Sequence, residues 1–205
     1  MDTALPMFTD KKPEIIVVDG FYTDPGAIRK LALEQDYFES QYHKGKRTRT
    51  QFLFPGLKER FEDLLRRKIV AWETHSMNGV FQYCVAGDPL VIHSDLQTHA
   101  AAIYLSPNAP PGTGTSFYRS KAYPLDRAPD DATAALLGKT AGEIEHAMYY
   151  GKLFDFTAWD QVDSVGNVFN RLTLWNGRKV HSATNYFGHL KENSRLFQIF
   201  FFDAE

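Results

Sequence analysis

The chain has 205 residues (23.4 kDa), one cysteine, a formal net charge of -2 and a pI near 6.4. That length is enough for a single domain with a sizeable apolar core, while the charge gives no electrostatic reason to expect nucleic acid or an anionic membrane as a partner. A lone Cys84 excludes an internal disulfide and any multi-cysteine metal cluster and agrees with a reducing, cytoplasmic setting.

Met1 to Pro13 lacks a basic region followed by an apolar run, and no apolar stretch reaches the roughly 18 residues of a membrane span, so neither secretion nor membrane insertion is expected. Residues 14–19 read as a short strand. Asp24-Pro25 then supplies an N-cap and a first-turn proline for a helix to about Gln35, with Ile28, Leu31 and Ala32 facing inward. Residues 42–50 are basic and centred on Gly45. They predict a solvated loop or a ragged hairpin, in which 44–49 could instead hold an acidic substrate group. Leu57, Phe61, Leu64, Leu65, Ile69 and Trp72 recur at helical spacing and predict a second helix over 57–72, packed on the outside of a sheet.

From Gly79 the texture becomes extended. Residues 79–85, 90–95, 100–105 and 114–119 are strand candidates separated by turn residues. Residues 130–150 read as one broken helix or two short ones, and strands return at 163–169, 171–175, 179–183 and 195–202, with Asn176-Gly177 as a hairpin signal. About eight short strands with flanking helices predict a mainly β fold, a cupin-like jelly roll or double-stranded β-helix. The expected organisation is one domain over 1–205. It comprises an N-terminal support over about 14–78, a jelly-roll core over about 79–203 and an insertion over about 120–160 that could wall a pocket.

His93 and Asp95 are two residues apart, so on a strand they project to one side while Ser94 points away. Alone this pair is as compatible with a polar strand end as with a metal site. His181, on a strand that a closed antiparallel sheet can bring alongside, supplies a third candidate ligand. Two imidazoles and one carboxylate on one face of an octahedron leave three positions open, the arrangement of non-heme Fe(II) oxygenases. Arg195 opens the last strand on the face of Phe197, Ile199 and Phe201, where its permanent charge requires either an anion or an escape to water beside Glu192 or Asp203. A dicarboxylate held by the metal and by Arg195 would meet that need.

His93-Ser94-Asp95, His181 and Arg195, set in short strands over roughly residues 81–203, resemble the Fe(II)- and 2-oxoglutarate-dependent dioxygenases, in particular their prolyl-hydroxylase-like branch. The resemblance implies that His93, Asp95 and His181 bind iron and that Arg195 holds the far carboxylate of 2-oxoglutarate. It further implies that Tyr83 and Tyr104 line the 2-oxoglutarate pocket. The expected cofactors are Fe(II), 2-oxoglutarate and molecular oxygen. The expected reaction is hydroxylation of a small molecule, amino acid or peptide with release of succinate and carbon dioxide, since the carboxylate at 95 occupies the place that halogenating relatives leave to halide. The chain departs from the pattern in a long interval between His181 and Arg195, which implies a loop at the pocket mouth, and in Leu196-Phe197 where some relatives have Arg-x-Ser.

Arg119, His99, Asn170 and His189 are further candidates for substrate or supporting contacts, each equally readable as a rim or edge residue. His43, His75 and His146 have no ligand spacing around them and are assigned no role. Two other readings stay open: a cupin-type metal enzyme that does not use 2-oxoglutarate, and a jelly-roll binding protein whose His/Asp cluster is vestigial or structural.

Overall fold

The structure is a computed structural model that describes residues 11–39 and 45–205; His43 and the first part of the basic stretch, 42–44, lie outside the described residues. Two antiparallel sheets face each other. The larger contains β1 (Ile15–Val18), β2 (Phe38–Glu39), β3 (Lys46–Arg47), β4 (Ile69–Ala71), β5 (Val80–Cys84), β6 (His99–Tyr104), β9 (Leu172–Asn176) and β11 (Arg195–Ala204), in the order β1-β9-β6-β11-β5-β3-β2 with β4 also on β11. The smaller has the order β10-β7-β8, formed by β7 (Gly114–Ser120), β8 (Trp159–Gly166) and β10 (His181–Ala183), and His93 adds a single bridge to the outside of β10. The chain from β5 to β11 therefore passes back and forth between the sheets, and the fold is a double-stranded β-helix.

Alternation along β11 divides its side chains between two environments. Phe200 and Phe202 point outward onto Phe61 of α2 (Leu57–Leu65) at ring distances of 5.0 and 5.3 Å, whereas Phe197 and Phe201 face the space between the sheets. Next to α2, α1 (Pro25–Leu33) covers Phe81, Leu105 and Leu196 with Ala32, Ile28 and Leu31; its N-cap Asp24 accepts the Ala27 N–H at 2.9 Å. A single layer of two helices on one sheet face leaves the other face free to build a site.

Four sequence expectations need correction. The helix predicted over 57–72 stops at Leu65, because Arg66 takes φ 55 and Ile69–Ala71 then pairs with Asp203 and Ala204 as β4; the 3.6-residue spacing of Ile69 and Trp72 is fortuitous. The strand predicted over 90–95 reduces to the His93 bridge. Asn176-Gly177 joins two strands that lie in different sheets, so it is a crossover and not a hairpin. The 120–160 segment supplies α3 (Asp131–Leu136) and α4 (Ala141–Tyr149), which pack through Ala134, Ile144 and Met148 beneath Tyr118 and Val180; none of its residues lines the central cavity.

Among the described residues, no helix is long and apolar enough to cross a membrane.

Candidate metal centre

His93 and His181 are register partners. His93 N–H donates to the His181 carbonyl at 3.0 Å and His181 N–H to the His93 carbonyl at 2.8 Å, so their side chains rise together with ring centroids 4.4 Å apart. Asp95, two residues on, projects to the same side, and its own N–H is fixed by the Gly177 carbonyl at 2.8 Å. The result is one ligand atom from each of His93, Asp95 and His181, all within 4.8 Å of one another.

Each imidazole is oriented by the same device. His93 Nδ1 lies 3.0 Å from the Val91 carbonyl and His181 Nδ1 lies 2.8 Å from the Lys179 carbonyl. A carbonyl oxygen only accepts, so Nδ1 carries the proton in both rings and Nε2 presents its lone pair to the centre. His93 Nε2 stands 3.7 Å from Asp95 Oδ1, and His181 Nε2 stands 3.4 Å from Asp95 Oδ2.

Burial, reinforced by the neighbouring His93, pushes the His181 imidazole down to about 4, so the ring is neutral at physiological pH and its contact with Asp95 is then no ion pair. Asp95 Oδ2 is buried without a hydrogen-bond partner. Two lone pairs thus face each other in a desolvated spot, an arrangement that costs free energy unless a cation lies between them. The donor set fits a divalent metal on this ground.

Arg195 sits at the start of β11, opposite Cys84, and is 4% exposed. Its guanidinium carbon lies 4.3 Å from the Phe197 ring centroid, 5.4 Å from that of Tyr104 and 5.8 Å from that of Tyr186. Nη2 donates to the Gly114 carbonyl at 3.1 Å, Nε is buried without a partner, and no carboxylate among the described residues pairs with it. Asp203, one partner considered from the sequence, is instead bound to His75 and to the Thr98 N–H. A buried guanidinium with an unused donor is a place for an anion.

His93, Asp95, His181 and Arg195 all line one cavity of about 700 Å³ between the sheets. Tyr104 is not itself part of the cavity wall; it stands behind Arg195, fully buried, with its hydroxyl 2.8 Å from Thr115 Oγ1. Tyr83 does not join them. It pairs with Leu196, whose side chain faces α1, and packs edge-on against Tyr37 at 4.9 Å; the inward residues of β5 are Gln82 and Cys84. Arg119 is on the outer surface, 3.7 Å from Asp160. His99 stacks on Phe202 at 5.6 Å, on the helix-bearing side of the large sheet. Asn170 takes φ 63 and ties down Tyr22 through two backbone hydrogen bonds of 2.8 Å. His189 borders a separate cleft with Tyr83 and Lys46. These five candidates are therefore not cavity residues.

The cavity also contains residues not singled out from the sequence. Trp175 packs against His181 at 5.0 Å with its Nε1 buried and unpaired, Ser182 Oγ is likewise unpaired, and Arg47 and His75 reach the same space. The parity of β5 and β11 would have located Gln82, and Arg47 belongs to the basic stretch 44–49 already considered for an acidic substrate group, whereas no local signal places His75 there.

Residues 89–189, just under half of the chain, match a family model described as a family of unknown function (DUF6445); the matched segment contains His93, Asp95 and His181 and ends before Arg195. No curated protein matches the sequence. The solved structure of HygX from Streptomyces hygroscopicus with nickel and 2-oxoglutarate bound is similar at a TM-score of 0.53 and 12% identity, covering 92% of this chain and 82% of that one; the same figures hold for HygX with hygromycin B also bound. A Pseudomonas putida prolyl-4-hydroxylase gives a TM-score of 0.46 and 14% identity, over 92% of this chain and 91% of that one. At 12% identity the HygX likeness shows the fold alone, a double-stranded β-helix.

Proposed function

We propose that the protein is an Fe(II)- and 2-oxoglutarate-dependent oxygenase that hydroxylates a small molecule, amino acid or peptide, releasing succinate and carbon dioxide. The observation that carries this reading is the convergence of the two Nε2 lone pairs and the unpaired Asp95 oxygen on one point of a cavity that also holds a buried Arg195 without a counter-ion. The HygX likeness supports it at the level of fold.

Iron bound at this point, with 2-oxoglutarate and oxygen, supplies the oxidising chemistry. The chain's own residues supply the setting for it. His93, Asp95 and His181 would hold the ion through one ligand atom each. The Val91 and Lys179 carbonyls keep both rings in the ligating tautomer. Arg195, gripped by Phe197, Tyr104 and the Gly114 carbonyl, receives the distal carboxylate of the keto acid and fixes its orientation. Apolar walls from Trp175, Phe197, Ile199 and Phe201 keep bulk water from the reacting centre. A cupin-type metal enzyme without 2-oxoglutarate leaves Arg195 unexplained, as does a purely structural metal site.

Anaerobic addition of Fe(II) and then 2-oxoglutarate tests the reading. A visible metal-to-ligand charge-transfer band that requires both additions, and that is absent from a folded His181→Ala protein, is expected. No band in the folded wild-type protein would contradict it.

A further inference from the structure

The cavity contains a second guanidinium that the proposed chemistry does not use. Arg47, on β3, is opposite Gln82 of β5, as Phe197 is on the other side. Its Nε donates to Gln82 Oε1 at 2.7 Å, the only hydrogen bond of its side chain among the described residues, and no carboxylate among them pairs with it. The guanidinium carbon lies 5.9 Å from the Phe201 ring centroid, on the cavity side of β11.

Arg47 and Arg195 serve different places. Arg195 rests on Phe197 and Arg47 on Phe201, two rings that share one face of β11 and lie four residues apart. Strand geometry puts about 13 Å between those positions. Each head therefore has its own aromatic platform along β11, with Tyr186 within electrostatic reach of both.

The charges of the lining residues point the same way. Histidines aside, the charged side chains on the cavity wall are Arg47, Arg195 and Asp95, two positive against one negative. A divalent cation adds two positive charges and a bound dicarboxylate removes two, so one positive charge persists in the cavity. A charge partly shielded from water by protein favours an opposite charge more than one in bulk water does.

Building on the proposed function, we infer that Arg47 is the substrate-specificity residue of this site and that the substrate presents a carboxylate to it. The planar, bidentate fork of an arginine suits a carboxylate. Phe201 and Trp175 supply apolar surface for the part of the substrate nearer the metal. The substrate class is therefore a small organic acid, including an amino acid or peptide with a free C-terminal carboxylate.

The test uses the full chain loaded anaerobically with Mn(II) and 2-oxoglutarate. Benzoate and acetate are the anionic probes, benzamide and acetamide their neutral isosteres, and paramagnetic relaxation of the probe protons is the readout. Saturable relaxation of a carboxylate probe, with no matching effect from its amide, is expected. Arg47→Gln should weaken that binding roughly ten-fold or more and Arg47→Lys by less, while 2-oxoglutarate retention stays within about two-fold. Arg119→Gln, on the outer surface, serves as the control and should change nothing.

Equal binding of acid and amide, no binding of either acid to the wild-type protein, or unchanged acid binding in a folded Arg47→Gln protein would each overturn the inference. Loss of 2-oxoglutarate in Arg47→Gln would overturn it by assigning Arg47 to the keto acid. If the wild-type protein retains no 2-oxoglutarate, the proposed function fails instead. The same probes with Mn(II) alone then decide the role of Arg47 separately: carboxylate binding that depends on Arg47 upholds it, and its absence overturns it.

Discussion

Gly177 holds Asp95 in place across the crossover between the sheets. Its carbonyl accepts the Asp95 N–H at 2.8 Å, and a Cβ on residue 177 would stand 3.4 Å from Asp95 Cβ and collide with the Gln97 carbonyl. Only a residue without a side chain lets the two segments approach this closely. The turn that starts β10 toward His181 thereby also positions the carboxylate ligand.

Gly177→Ala should shift Asp95 away from the histidines while leaving the sheets paired. Metal affinity, measured by equilibrium dialysis, is expected to fall roughly ten- to hundred-fold, the range typical of losing support for a ligand. An unchanged affinity in a folded variant would mean that Asp95 tolerates displacement or is not a ligand.

Arg195→Met keeps an unbranched apolar stem and removes the anion site. 2-Oxoglutarate binding should weaken roughly hundred-fold, as for loss of one partner of a buried charge pair, and Fe(II) binding should change little. Equal losses of both, measured by parallel titrations, would show that Arg195 chiefly supports the fold.

The Tyr149 hydroxyl of α4 donates to Ser94 Oγ at 3.0 Å and so reaches the residue between two ligands. Burial pushes this phenol up to about 12, which keeps it protonated and able to donate throughout the working range. Tyr149→Phe is expected to cost about 1 kcal/mol in urea denaturation. In Ser94→Ala the same change should cost markedly less, because its partner is already gone.

Burial, helped by Arg67, lowers His99 to about 4, so the folded chain holds this ring neutral where the unfolded chain, at the ordinary value near 6.5, protonates it. Between those values the unfolded state binds more protons, and stability therefore rises with pH across that window. The contribution is complete above about pH 6.5 and is lost as pH falls toward 4. His99→Gln should flatten that part of the pH-stability curve; an identical slope in wild type and variant would contradict the assignment.

Much of the architecture was legible because alternation and turn chemistry are local. The strand texture after Gly79, the Asp24-Pro25 helix start and the outward Phe200 and Phe202 all follow from spacing along the chain. The convergence of His93, Asp95 and His181 was readable as soon as the jelly roll was assumed. The resemblance misled at Tyr83, where it outweighed the alternation that places Gln82 inside and Tyr83 outside. Ile69 and Trp72 fitted a helical period because both are buried, although one belongs to a strand. Asn176-Gly177 carried a hairpin signal, but its neighbours satisfy their hydrogen bonds in separate sheets. Arg47 was legible only as one of the basic residues of 44–49, since the two-residue strand that carries it gains its place on the cavity from pairing with β5.

The central claim is that His93, Asp95 and His181 share one ion. Anaerobic equilibrium dialysis of Fe(II) against the wild-type protein and the three single alanine variants, with folding checked by circular dichroism, tests it most directly. One ion per chain is predicted for the wild type, with at least a roughly ten-fold loss of affinity in each variant. Undiminished binding of one ion in any folded variant would contradict the claim.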